Sequence, residues 1–233
     1  MVISQRFFVV AALFITCLIT ANIIAVKLIT VGVEPIHIGG LQLPAPLPAA
    51  IIIFPLSYIF GDILTEVYGY RQARRVIWLG FLCNLVAVVA FSIGGIIPAL
   101  EPEVQSAYER ILGYTPRILV ASFAAYLVGE FANSFVLAKM KIRTRGRFLW
   151  ARTIGSTVVG QGLDTLVFII VAFSGTLPWT VLGSIIITHW LVKTGYEVVA
   201  TPFTYAIVNY LKRKEDTDTY DYDTNFNPLL VTR

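Results

Sequence analysis

His189, Lys193 and Glu197 recur every four residues inside an otherwise apolar run. On a helix that spacing lines one face with a base, an ammonium and a carboxylate. Asp62 and Glu66 repeat it elsewhere, while Gln161 with Asp164 and Glu130 with Asn133 share faces at i, i+3. Asn22 and Lys27 lie towards the end of a further apolar run. A charge at the centre of a bilayer costs about 2.5–3.5 kcal/mol on insertion scales. Polar faces on several such helices are satisfied together only if they converge on an interior. Within that set five carboxylates (Asp62, Glu66, Glu130, Asp164 and Glu197) meet two lysines and one histidine. Pairing alone therefore leaves acids uncompensated, protonated, or in contact with water and a ligand. A polar cavity accounts for the set better than isolated structural ion pairs and interhelical hydrogen bonds do.

The elements that must carry these residues follow from composition. The chain has 233 residues, 57% of them hydrophobic and only 14% charged, against about 25% charged in a soluble domain. Apolar runs approach the ~20 residues needed to cross a bilayer. The expectation is an all-α integral membrane protein with six transmembrane helices in one bundle, near 7–30, 47–67, 74–98, 116–139, 149–174 and 179–210. Prolines 44, 46 and 48 mark the entry to the second span, and Pro98 and Pro116 bound the third and fourth. One set of span ends holds Arg6, Arg71, Arg74, Arg75, the block 139–152 and residues 212–214; the other holds Arg110 and Arg117 among glutamates. That asymmetry predicts cytoplasmic N- and C-termini, and it accounts for the net charge of +4 without nucleic acid. Residues 1–211 are expected to form the transmembrane domain and 212–233 a polar, mobile cytoplasmic tail.

Other chemistries find little support. No His-Glu-x-x-His or Gly-x-Ser-x-Gly motif is present, and His189 with Asp164 does not make a triad. No catalytic residue, cofactor or metal site is expected, and Cys17 and Cys83 sit too far apart in apolar runs to suggest a disulfide framework. Asp62 and Glu66, one turn apart, oppose each other's ionisation when desolvated, which suits gating or proton coupling. Glu66 is also within reach of Arg71 as a plain anchor. Trp190 lies well inside its run, where it can stack on a planar ligand or pack on a neighbour, unlike Trp78, Trp150 and Trp179 near span ends. Gly155, Ser156, Gly160 and Gly162, and the pair Ala21 and Ala25, permit close helix packing.

The segments ANIIAVKLI (21–29), FPLSYIFGDILTEVYGYRQARRVIWLGF (54–81), RTIGSTVVGQGLDTLVFIIVAFSG (152–175) and KTGYEVVATPFTY (193–205) resemble the queuosine-precursor transporter family, also called the vitamin uptake transporter family. The resemblance covers most of residues 10–210. It implies a bacterial or archaeal plasma membrane and uptake of a 7-deazaguanine (preQ0, preQ1 or queuine) for tRNA modification. It also implies a similarity to the substrate-binding subunits of energy-coupling-factor transporters, so that a subunit dependent on partner proteins is the alternative. A guanine-like edge offers adjacent N–H donors to a carboxylate, and amides or lysine can serve its carbonyl. On that basis the expected substrate-binding residues are Asn22, Lys27, Glu130, Asn133, Gln161, Asp164, His189, Trp190, Lys193 and Glu197. Phe168 is a further candidate for stacking. The expected partners are a nucleobase-like small molecule and the lipid bilayer, with a homodimer or an energy-coupling module docked at Ala21 and Ala25 left open.

Overall fold

A computed structural model describes residues 4–30, 32, 34–38, 40–113 and 116–230. It is mostly helical. Helix α1 (Gln5–Ile24) is followed by two short antiparallel ribbons, in which β1 (Leu28–Ile29) pairs with β4 (Leu47–Pro48) and β2 (Ile36–Ile38) with β3 (Leu41–Leu43). A 3₁₀ turn (Ala49–Ile52) leads into α2 (Phe54–Tyr68), then α3 (Tyr70–Ile96), α4 (Pro102–Leu112), α5 (Pro116–Thr144), α6 (Leu149–Phe173) and α7 (Trp179–Glu215). The strands were not expected from the sequence. They are too short to show an alternating pattern, and they roof one end of the bundle rather than form its core.

Among the described residues, four stretches are long and apolar enough to cross a membrane: α1, α3, one within residues 102–144, and α6. Helix α2 has 15 residues, short of the usual ~20. Helix α7 has 37 residues but is diluted by His189, Lys193 and Glu197. The loop 99–115 contains α4, which buries none of its residues.

The two ends of the bundle differ. At the basic end Ser4 caps α1, accepting from the Phe7 amide at 3.1 Å, and its hydroxyl donates to Glu215 on α7 at 2.7 Å. At the far end β3 and the segment after it run along α7. There the Gln42 amide donates to Ser184 Oγ and the Ala45 amide to Thr188 Oγ1, both at 3.0 Å. Arg117 ties α5 to the end of α6 through the carbonyls of Val171 and Ser174. Apolar packing is concentrated where Phe14 and Leu18 of α1 meet Ile63, Leu64 and Val67 of α2 and Ile77 of α3. Val86, Val120, Val199 and Phe203 lie exposed on the outside, an apolar surface suited to lipid.

Helices α5 and α6 pack closest. A Cβ on Gly160 would lie 2.6 Å from the Asn133 Cβ, and one on Gly129 would lie 2.7 Å from the Asp164 Cβ. Only the missing side chains let these backbones approach, as small residues do in membrane bundles.

The described residues after α7, 216–230, pack against the bundle. The chain turns at Asp216 (φ 47°) and runs back under the basic end. Asp221 accepts from the Tyr70 amide at 3.0 Å, placing a carboxylate on the N-terminus of α3. Arg74, almost fully buried, donates to the carbonyls of Asn225 and Asn227, and the Trp78 indole donates to that of Pro228. The Phe226 ring packs on Tyr70 and Phe135, with the Lys139 ammonium 4.0 Å from its centroid. Gly69, at φ 84° between α2 and α3, admits the strap: a Cβ there would come within 2.7 Å of Thr219.

Candidate functional site

The polar residues fall into three layers along the bundle. The first lines a cavity of about 130 Å³ in the far half, bounded by Asn22, Phe54, Asn84, Tyr126, Asp164, Phe168, His189 and Lys193. A cavity needs roughly 10–15 Å³ by this measure for one water, so this one has room for a small heteroaromatic molecule. Lys193 donates to Asp164 Oδ2 at 2.8 Å and to Thr165 Oγ1 at 3.3 Å, and its ammonium stands 4.5 Å from the Phe54 centroid. Asn22 donates to Asn84 Oδ1 at 2.9 Å. His189 Nε2 is 3.3 Å from the Pro46 carbonyl in the segment that roofs the cavity. The floor is thus an ion pair and the wall an amide pair, flanked by the rings of Phe54 and Phe168. Such a site can grip a flat molecule with donors and acceptors on its edge.

The second layer lies deeper and does not line the cavity. Asp62 of α2 accepts from Asn133 Nδ2 at 2.6 Å. Glu130, Gln161 and Glu197 are buried with none of their side-chain oxygen or nitrogen atoms hydrogen-bonded, and the hydroxyls of Tyr58 and Thr157 also lack partners.

The third layer closes the basic end. Glu66 is wholly buried and receives two hydrogen bonds of 2.8 Å from Arg152, with Lys212 at 2.5 Å and Lys141 at 3.6 Å. Lys141 and Lys212 also reach Asp218 of the strap, at 2.6 and 2.8 Å. Burial works against the charge on Asp218, but the hydrogen bonds from Lys141 and Lys212 outweigh it and hold the carboxyl below its ordinary range.

The sequence-derived candidates distribute over these layers. Asn22, Asp164, His189 and Lys193 line the cavity; Glu130, Asn133, Gln161 and Glu197 lie in the deeper layer with Asp62. Lys27 follows the end of α1 and is exposed, outside the lining. Trp190 faces α6, donating to the Val158 carbonyl at 2.9 Å against Gly162. Glu66 sits with Arg152, whereas Arg71 is exposed. Ala21 and Ala25 are among the residues that line the cavity. Sequence reasoning passed over Tyr58, Phe54 and Thr157. Tyr58 and Thr157 stand one turn from Asp62 and Gln161, a spacing that could have found them.

A family model for vitamin uptake transporters matches residues 48–207, from the roof of the cavity to the last turns of α7. The chain is similar to a Bacillus subtilis protein named probable queuosine precursor transporter, 31% identical over 168 residues, which is 70% of this chain and 72% of the relative. It is also similar to the Escherichia coli queuosine precursor transporter, 25% identical over 59% of this chain and 58% of the relative. A probable queuosine precursor transporter of Haemophilus influenzae is 26% identical over 52% of this chain and 50% of the relative. No solved structure matches.

Proposed function

The chain belongs to the vitamin uptake transporter family, and on that premise we propose that it imports a queuosine precursor, a 7-deazaguanine, across the plasma membrane for tRNA modification. The names of its relatives support the substrate class. The observation that carries the residue-level reading is the Asp164–Lys193 pair facing a cavity between two phenylalanine rings. A guanine-like edge presents adjacent N–H donors beside a carbonyl. Asp164 accepts from the donors, while Lys193 shifts from its carboxylate partner to the carbonyl, so that the ligand replaces a salt bridge with charge-assisted hydrogen bonds. Asn22 and His189 serve the rest of the ring, and Phe54 and Phe168 cover its faces.

In this reading six helices (α1, α2, α3, α5, α6 and α7) cross the membrane, with the basic end and both termini cytoplasmic. Residues 1–211 form the transport domain and 212–233 the tail. Helix α2 can be short and α7 polar because both turn polar faces inward. The cavity then opens towards the outside, and the Glu66 layer closes the cytoplasmic exit.

Replacing Asp164 with Ala abolishes binding of 7-deazaguanines to the detergent-purified chain; unchanged affinity removes Asp164 from the site. Uptake of labelled preQ0 or preQ1 by the chain alone in liposomes is the expected companion result. Binding without uptake would instead make it a capture subunit of a larger system.

A further inference from the structure

We propose that Asp62, Glu130 and Glu197 form a proton-carrying site that couples substrate entry to inward proton movement. This rests on the import reading above and adds its driving force.

The three carboxyl groups come from α2, α5 and α7 and lie midway between the cavity and the Glu66 layer. Asp62 is one turn, about 6 Å along the helix axis, from Tyr58 on one side and Glu66 on the other. Glu197 is one turn inward from Lys193. All three are at most 1% exposed. Among the described residues their side chains accept one hydrogen bond, from Asn133 to Asp62 Oδ1; Asp62 Oδ2, both oxygens of Glu130 and both of Glu197 have none. Among the described residues no lysine, arginine or histidine lies within 4 Å of any of them: Lys193 is paired with Asp164, and Arg152, Lys141 and Lys212 with Glu66. Three buried anions without a cation would carry an unpaid desolvation penalty of several kcal/mol each, so the layer demands a cation of its own.

Two further side chains point to a ligand. The Tyr58 hydroxyl is buried and unpartnered, within electrostatic reach of Asp62, Glu130 and Asp164. It therefore stands near both Asp164 at the cavity floor and the acids. The Gln161 amide, fully buried, has neither end hydrogen-bonded. None of the three acids lines the cavity. A proton needs no volume, which favours it over a metal cation or a ligand amine.

The groups facing this layer come from every packed helix that bears one. They are Tyr58 and Glu66 from α2, Tyr126 from α5, Asp164 from α6 and Lys193 from α7. Cys83 of α3 approaches through Tyr126, and α1 presents the Phe14 ring beside Glu130 at Gly61. Only Lys193 among these is cationic, and the cavity pair holds it. The proton ledger is simple. A proton from outside water reaches the acids through Asp164 and Tyr58 while the basic end is shut. The same proton leaves to cytoplasmic water once the Glu66 layer parts. No bond in the substrate changes.

The test uses the full chain in liposomes with neutral 7-cyano-7-deazaguanine as probe and a pH dye inside. With the outside acid, wild type accumulates the probe, up to about tenfold per pH unit for one proton each, and the lumen acidifies as it does so. Asp62→Asn keeps equilibrium exchange of labelled for unlabelled probe but loses gradient-driven accumulation and acidification. Difference infrared spectra of the substrate-free protein supply a measurement independent of transport. Wild type shows protonated-carboxyl bands at neutral pH that weaken in Asp62→Asn, Glu130→Gln and Glu197→Gln. Uptake indifferent to the pH gradient, uptake driven by sodium, or absence of those bands overturns the proposal. If no deazaguanine binds at all, the import reading falls and the coupling with it; binding without gradient-driven accumulation overturns the coupling alone.

Discussion

With Arg152 replaced by Met, Glu66 would lose the two hydrogen bonds that fix its carboxylate plane and would remain buried beside lysines. Breaking a buried pair from one side costs about 3–5 kcal/mol when it leaves a charge uncompensated. In Arg152→Met the carboxylate keeps Lys212 and Lys141, whereas Glu66→Leu leaves the guanidinium and both lysines without it. Glu66→Leu should therefore lower the melting temperature of the detergent-purified protein more than Arg152→Met does, and equal losses would show that Glu66 is not what holds this end. Arg152 is legible in the sequence only as one more basic residue at a span end, because nothing local records which acid will meet it. Asn22, Asp164, His189 and Lys193 are different: cost in lipid and helical spacing together single them out. Lys27 has the same cost but lies past the last turn of α1, where the chain leaves the bundle. Trp190 shares the backbone neighbourhood of His189, yet adjacent residues on a helix point about 100° apart, and its indole turns to α6.

The contact between α5 and α6 sets where the second layer can form. Gly160→Ala puts a methyl 2.6 Å from the Asn133 Cβ and 3.2 Å from its Cα, atoms that cannot swing aside. Overpacking of this kind costs about 1–3 kcal/mol. The expected outcome is a lower thermal midpoint together with altered gradient coupling, since Asn133 holds Asp62; Gly155→Ala, opposite the flexible end of Met140, should be milder. A Gly160→Ala protein as stable as wild type would sink the close-packing account. At this scale the long apolar helices were readable from hydropathy. The ribbons between residues 28 and 48 were not, since strands of two or three residues carry no period. Helix α4 was passed over because it is amphipathic and lies outside the apolar runs.

Across the whole molecule, the basic end is closed by side chains from four helices and the strap acting together. Asp218 is the titratable link. Its carboxyl is held below the ordinary aspartate range in the folded protein, so its contribution to docking is complete above the ordinary value of 3.8 and disappears as pH falls through the lowered one. Acidification into that window should release the strap and change the fluorescence of Trp78, whose indole is bonded to Pro228. Asp218→Asn should show the released signal at neutral pH, and an unchanged signal in that variant would assign the docking to the contacts of Asp221, Phe226 and Arg74. Composition alone indicated a loose acidic tail here, because the contacts that hold it are long-range: a helix N-terminus, a buried guanidinium and an aromatic slot, each 91 residues or more away along the chain.

That distance has a consequence for biogenesis. The strap is translated after every helix it fastens, so the helices can insert and pack while Lys141 and Lys212 still lack Asp218. During that interval Glu66 and its cations face an unsealed end. Closure is then a late step of maturation, and a chain cut after α7 would enter the membrane as a bundle that had never been shut.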